Sequence, residues 1–176
     1  MILTIEGQSV FDAVTNAMST AGTGGFSVRD MGIAAYGSPA VEWTIAVFML
    51  LFGINFNLYY LILFGRIKQV FASEELRVYT GIIAAATLTV GINVMNYYGS
   101  FGDSIRKAFF QVTSVISTTG FSNVEFMNWP QLSRAVILVL LFTGACAGST
   151  AGGIKISRII IMAKVVYRSI HQLAHP

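Results

Sequence analysis

A short string of residues that occurs twice constrains the fold of this chain more than any other feature. Residues 23–27 read TGGFS and residues 118–122 read TTGFS, and each copy lies between a short amphipathic stretch and a long apolar one. With a shift of 95 residues, six of the fifteen positions from 13 to 27 are identical. After a deletion of four residues the register continues, aligning Pro39 with Pro130, Leu50 with Leu141 and Gly53 with Gly144. Matches on both sides of one deletion favour duplication over coincidence and predict two similar structural units.

The composition indicates a protein that resides in lipid. Of the 176 residues 55% are apolar and only 11% are charged, with a mean hydropathy of +0.68, which leaves too little polar surface for a soluble domain. The apolar runs cover residues 40–65, 78–98 and 135–166, and each reaches the roughly 20 residues of a spanning helix. Residues 1–11 lack the basic segment and apolar run of a signal peptide. We therefore predict an all-α membrane protein with three spans.

The repeat divides the chain into two units. In residues 73–176 we expect an outer helix, a re-entrant pore helix over 103–116, a filter loop and an inner helix, as in potassium channels. Residues 1–72 repeat this order from a half-helix over 11–21 but lack the outer helix, so we expect the chain to begin at a truncation or a domain edge. The last inner helix should be broken, because residues 144–153 (GACAGSTAGG) are poor helix formers and irregular backbone at membrane depth requires a cavity.

The two strings have the composition of an ion filter. Rings of backbone carbonyls can replace the hydration shell of an ion, and glycine permits the backbone conformations that aim them. We expect the filter at Thr23, Gly24, Gly25, Phe26, Thr118, Thr119, Gly120 and Phe121. The alternative is that each string is an ordinary helix C-cap, but two copies in register favour a filter.

A second glycine-rich segment, residues 148–155 (GSTAGGIK), is a candidate gate beneath the filter. A phosphate-binding loop is excluded, because the required Gly-Lys-Ser/Thr ending is absent. The gate candidates are Gly148, Ser149, Thr150, Gly152, Gly153 and Lys155. Lys155 would either form a barrier or plug contact or extend from a helix end towards water, and the sequence does not decide between the two.

The remaining polar residues predict no catalytic or metal site. Asn55 and Asn57 lie within an apolar run, where helix-to-helix hydrogen bonds are expected. Three acidic residues, Glu42, Asp103 and Glu125, either concentrate cations at a pore mouth or are solvated loop charges. Cys146 is the single cysteine, and the two histidines, His171 and His175, belong to the tail. We expect no enzyme activity, no covalent cofactor and no nucleic-acid partner.

The basic residues predict the orientation. If both strings face one side of the membrane, that side has four basic residues (Arg29, Arg106, Lys107 and Arg134). The opposite side has seven (Arg66, Lys68, Arg77, Lys155, Arg158, Lys164 and Arg168). Because basic residues are enriched in cytoplasmic segments, the filter loops should face outwards and the C-terminal tail should be cytoplasmic.

Taken together, these motifs resemble the membrane subunit of the Trk/Ktr/HKT superfamily of potassium uptake proteins. The resemblance rests on residues 11–13 with 23–27, 53–56 (GINF), 75–77 (ELR), 117–121 and 144–155, and the ending, residues 172–176, resembles the Trk branch. That family has four tandem pore units, and this chain resembles the second unit, without its outer helix, and the whole third unit. The resemblance assigns residues 148–155 to the intramembrane gating loop of the family.

The resemblance implies potassium uptake across the plasma membrane, the inner membrane in bacteria. Potassium would be the substrate, held at the filter carbonyls only. The implied partners are the remaining pore units or a second chain, a second copy in a homodimer, and a cytosolic nucleotide-binding regulatory subunit. The alternatives are a non-conducting assembly or regulatory half-pore module and a secondary transporter with broken helices.

Overall fold

The computed structural model describes residues 2–174, and within them every regular element is a helix. The α-helices are α1 (Ile2–Ile5), α2 (Val10–Ala21), α3 (Pro39–Phe52), α4 (Phe56–Leu63), α5 (Ile67–Ala72), α6 (Glu74–Asn93), α7 (Met95–Tyr98), α8 (Phe101–Ile116), α9 (Gln131–Thr143) and α10 (Ile156–Ala174). Short 3-10 turns cover Gly32–Tyr36 and Phe126–Asn128. His175, which the sequence places in the tail, lies outside the described residues.

The two predicted half-helices are present as α2 and α8. The first begins where Ser9 accepts a hydrogen bond from the amide of Asp12 at 3.1 Å, which satisfies one of the free donors of the first turn. It buries Ala13, Asn16 and Thr20, one residue per turn of a single face. At 12 residues in α2 and 16 in α8, both are shorter than the roughly 20 residues needed to cross a bilayer.

The helices at the positions predicted for the inner helices, α3 and α9, end at residues that the repeat aligns. Helix α3 ends at Phe52, before Gly53, and α9 ends at Thr143, before Gly144. The break predicted in the second unit is confirmed, since no helix covers residues 144–155. The prediction of one continuous span over residues 40–65 is wrong: the chain turns by 90° between α3 and α4. Its direction changes at Asn55, whose extended backbone and capping side chain start the new helix.

Within residues 2–174, only the middle apolar run forms a single helix that is both long and apolar enough to span a membrane. That helix is α6, with 20 residues. The bent pair α3 and α4 reaches spanning length and hydropathy only when the two helices are taken together, and α9 is apolar but shorter. The structure thus agrees with the predicted interruption of the third apolar run and adds an interruption at the aligned place in the first run.

Two hydrophobic clusters hold the units together. One lies between α6, α8 and α9 and includes Val90, Ala108 and Trp129. The other surrounds α3 of the first unit, and it also contains Phe110 and Phe121 from the second unit. Because these two rings belong to the second unit and pack in the cluster of the first, the two units are in direct contact. This contact places their Gly/Thr strings side by side.

Candidate ion filter and gating loop

The two Gly/Thr strings contact each other through their main chains. A Cβ atom on Gly25 would lie 1.9 Å from the carbonyl oxygen of Thr119 and 3.4 Å from the carbonyl carbon of Gly120. Segments separated by about 95 residues in sequence therefore meet with no room for a side chain between them. The structure brings the two predicted filter strings to one place.

The strings also repeat each other in backbone conformation. The φ angles are +50° at Thr23 and +56° at the aligned Thr118, and +72° at Gly25 and +85° at Gly120. Among residues 2–174 the non-glycine residues with positive φ are Thr23, Thr118 and Lys155, all of which belong to the predicted filter or gate. Such conformations are unfavourable for a β-branched residue and concentrate at functional sites.

A pair of aligned serines supports the strings from the preceding helices. The amide of Phe26 donates to Ser19 Oγ at 2.8 Å, whereas Ser114 Oγ donates to the carbonyl of Phe121 at 2.6 Å. The sequence analysis assigned no role to these serines. Ser19 nevertheless aligns with Ser114 at the 95-residue shift, and this match could have indicated a shared role. The hydroxyls fasten each loop to the last turns of its own half-helix.

The aromatic residues of the two strings differ in burial. Phe121 is 2% exposed, because it packs in the cluster around α3. Phe26 is 80% exposed. The two strings therefore have similar backbone φ angles, but their phenylalanine rings lie in different environments.

The glycine-rich loop, residues 144–155, lies against both threonines. Thr23 Oγ1 donates to the carbonyl of Thr150 at 3.0 Å, and the amide of Gly152 donates to Thr118 Oγ1 at 2.7 Å. The aligned hydroxyls thus hold opposite sides of one segment. The Lys155 ammonium donates to the carbonyl of Ala151, so this side chain contacts the loop itself.

The same loop is bonded to the break in the first inner helix. The amide of Cys146 donates to the carbonyl of Gly53 at 3.1 Å, and the amide of Phe56 donates to the carbonyl of Gly148 at 3.0 Å. Asn55 Oδ1 accepts from the amide of Asn57 at 2.9 Å and caps α4. The expected helix-to-helix role of Asn55 is therefore replaced by a cap that borders Gly148.

On another face, the strings border an open cavity of about 810 Å³. Its lining includes Gly25, Gly120, Asp30, Asn123 and Glu125. Gly25 and Gly120 of the filter candidates are thus reachable from a polar space that can admit hydrated ions. Within residues 2–174, no group of three or more His, Cys, Asp or Glu side chains could hold a metal ion.

Two of the acidic residues expected at the mouth are engaged in ion pairs. Glu42 Oε2 and Asp103 Oδ1 each lie 2.8 Å from the guanidinium of Arg106, whose side chain is 17% exposed. Glu42 is 12% exposed, so it is neither a solvated loop charge nor a free charge at the mouth. Glu125 remains exposed beside the cavity.

A second ion pair lies at the start of α2, outside the candidate spans. Arg29 contacts Asp12 at 3.1 Å. Burial raises the pKa of Asp12, but hydrogen bonds from Arg29, Ser9 and Tyr36 outweigh this effect, and the net pKa lies below the ordinary value. The pair connects residues 28–38, which follow the first string, to α2, the half-helix that precedes it.

Comparison with known proteins gives a consistent result. The chain is 35% identical over 181 residues to the Trk system potassium uptake protein TrkH of Escherichia coli strain K12, which covers 100% of this chain and 37% of that protein. It is 33% identical to TrkG of the same organism over 178 residues, or 98% of this chain and 36% of that protein.

The structure gives the same match. The crystal structure of the potassium transporter TrkH from Vibrio parahaemolyticus superposes with a TM-score of 0.92 at 30% identity, over 99% of this chain and 38% of that one. The chain therefore spans somewhat more than a third of the length of these relatives. The family described as "TrkH: Cation transport protein", a family of transporters rather than enzymes, matches residues 3–176. This membrane protein belongs to the TrkH family.

Proposed function

We propose that this chain forms part of the ion pathway of a potassium uptake protein. The observation that carries the proposal is the paired geometry of the strings: two segments with matching positive φ angles meet at Gly25 and Thr119. Potassium would lose its hydration water at main-chain carbonyls of residues 23–26 and 118–121. The relatives named as Trk potassium uptake proteins support potassium as the substrate.

The glycine-rich loop would act as the gate. It contacts the hydroxyls of Thr23 and Thr118, so an ion that leaves the filter would meet this segment next. The glycines of the loop permit a second backbone arrangement at low cost. Passage would then require the loop to leave the two threonines.

The surrounding assembly follows from the same proposal. Two units supply two sides of a pathway, so residues 1–72 and 73–176 would function together with further pore units or a second chain. We place the protein in the bacterial inner membrane. The strings would lie outside and the C-terminal tail in the cytoplasm, on the basis of the seven basic residues on that side. A homodimer and a cytosolic nucleotide-binding regulatory subunit complete the proposed system.

Rubidium uptake by the complete gene product, in cells that lack other potassium uptake systems, tests the filter. Gly120 has a φ of +85°, and no atom lies within 4 Å of the position that a Cβ would take, so Gly120→Ser adds a hydroxymethyl group at the cavity without a clash. We expect this variant to lose discrimination between rubidium and sodium. Gly99→Ser is the matched control, because Gly99 also has positive φ and free space but lies between α7 and α8. Unchanged selectivity in Gly120→Ser would contradict the proposal.

A further inference from the structure

The glycine-rich loop starts with buried backbone whose hydrogen-bonding groups need partners from other segments. Ala145 and Cys146 are fully buried. The amide of Cys146 has its acceptor in Gly53, and the carbonyl of Ala145 accepts from the amide of Ile156 at 3.1 Å. The next amide, that of Ala147, donates to Glu75 Oε1 at 2.7 Å. The Glu75 side chain, 72 residues from Ala147 in sequence, thus holds the beginning of the loop.

Glu75 is well placed for this role. It belongs to the first turn of α6, which Ser73 caps by accepting from the amide of Leu76 at 3.4 Å. A hydrogen bond from a backbone amide to a carboxylate is assisted by charge and is stronger than a neutral one. Helix α6 is the one helix in the described part of the chain that is both long and apolar enough to span a membrane, so Glu75 connects the loop to this helix.

The neighbouring carboxylate, that of Glu74, contacts α10 and not the glycine-rich loop. Glu74 pairs with Lys164 of α10 at 2.5 Å, and both side chains are about half exposed, at 51% and 55%. An exposed pair of this kind contributes little to stability. Of these two consecutive glutamates, Glu75 contacts the loop and Glu74 contacts α10. Glu74 therefore provides a matched control for Glu75 on the same helical turn.

We propose that Glu75 is a positioning residue for the gating loop: its carboxylate, bound to the amide of Ala147, holds residues 144–155 against Thr23 and Thr118 and keeps the pathway closed. The loop cannot leave the threonines as one body while this bond persists. The gating part of this inference rests on the proposed function. The positioning part stands on the contact alone.

The test uses the complete protein with Glu75→Ala, Glu75→Gln and Glu74→Ala. Hydrogen–deuterium exchange of residues 144–155 reports the loop position, and rubidium uptake reports the gate. Removing a hydrogen bond to a charged group shifts an equilibrium by roughly tenfold or more, so Glu75→Ala should speed both the exchange of the loop amides and basal uptake by about that factor. Glu75→Gln retains an acceptor oxygen and should stay within about threefold of the unmodified protein. Glu74→Ala should change neither.

The possible results separate the inference from the proposed function. Unchanged loop exchange in Glu75→Ala would overturn the inference. Faster exchange with unchanged uptake would overturn the gating role of Glu75. Faster exchange in Glu75→Ala, with no rubidium uptake by any form including the unmodified protein, would support Glu75 as the anchor of the loop and overturn the proposed transport function. If Glu75→Ala does not fold, Glu75→Gln and Glu75→Asp provide the comparison, since a shorter side chain should also release Ala147.

Discussion

Gly25 and Thr119 touch main chain to main chain, and the space that a methyl group on Gly25 would fill is occupied by the carbonyl oxygen of Thr119. This contact explains why position 25 requires glycine, but it does not explain the additional glycine of the first string at position 24. Gly24, aligned with Thr119, has only ordinary contacts around its Cβ position, the nearest at 3.5 Å. The need for glycine therefore differs between adjacent positions.

A series of three alanine substitutions separates the reasons for these glycines. Gly24→Ala should be nearly neutral. Gly120→Ala should cost about 1–2 kcal/mol from its positive φ alone. Gly25→Ala combines positive φ with the clash against Thr119 and should be the most destabilising. Thermal unfolding of the purified protein in detergent gives the order, and equal midpoints for Gly24→Ala and Gly25→Ala would contradict the observed packing.

Much of this arrangement was predictable from the sequence, because it depends on local patterns. The half-helices follow from amphipathic spacing, and the break after Gly144 follows from a segment of ten residues that contains four glycines. The break after Gly53 was missed because only one glycine is present there. The repeat nevertheless aligned Gly53 with Gly144, so this correspondence was a usable signal.

Contacts between distant residues were not predictable in the same way. Glu42 and Arg106 are 64 residues apart, and Glu75 and Ala147 are 72 residues apart. Neither pair follows from spacing on one helix, because the first depends on how α3 and α8 pack and the second on how the glycine-rich loop lies against α6. The positions of charges along the chain predicted which side of the membrane they occupy, but not which of them are neutralised by a partner.

Arg106 should be essential for stability because it neutralises Glu42 between α8 and α3. Arg106→Met would leave the Glu42 carboxylate, 12% exposed, without a counter-charge. Removing one partner of a buried pair costs about 3–5 kcal/mol, so we expect a strongly lowered unfolding midpoint.

A second substitution distinguishes this electrostatic effect from lost packing. Glu42→Gln in the Arg106→Met background should recover most of the stability, because the uncompensated charge is gone. Asp103→Asn is the control: its side chain is 47% exposed, and the change should cost less than about 1 kcal/mol. If Glu42→Gln recovers nothing, the ion pair is not the cause.

The Asp12–Arg29 pair should make stability depend on pH in the acid range. Because the folded-state pKa of Asp12 is below its ordinary value of 3.8, its contribution is fully present above that value. The contribution is lost as the pH falls through the lower folded-state pKa. The gap in unfolding midpoint between the unmodified protein and Asp12→Asn should therefore be constant above about pH 5 and close below about pH 4. In an Arg29→Gln background the gap above about pH 5 should be smaller, and a gap that widens on acidification would contradict the sign of the shift.

The aligned serines offer a test of how the duplicated strings are held. Ser114 is fully buried, and its hydroxyl is the donor to the carbonyl of Phe121. Ser114→Ala would leave that carbonyl without this partner, which should cost about 1–3 kcal/mol. Ser19 is only half-buried and accepts from the amide of Phe26, an exposed residue. Water can replace the hydroxyl there, so Ser19→Ala should cost less than about 1 kcal/mol.

The control for this pair is Ser122→Ala, which removes an exposed hydroxyl that donates to the carbonyl of Val124 at 2.7 Å. It should leave the unfolding midpoint nearly unchanged. The expected difference between the two serines rests on burial, because water can replace the half-buried hydroxyl of Ser19 but not the buried hydroxyl of Ser114. Equal losses of stability in Ser19→Ala and Ser114→Ala would therefore show that burial does not decide the cost. A larger loss for Ser114→Ala would mean that the second string, enclosed between the two clusters, is the more firmly held side of the pathway.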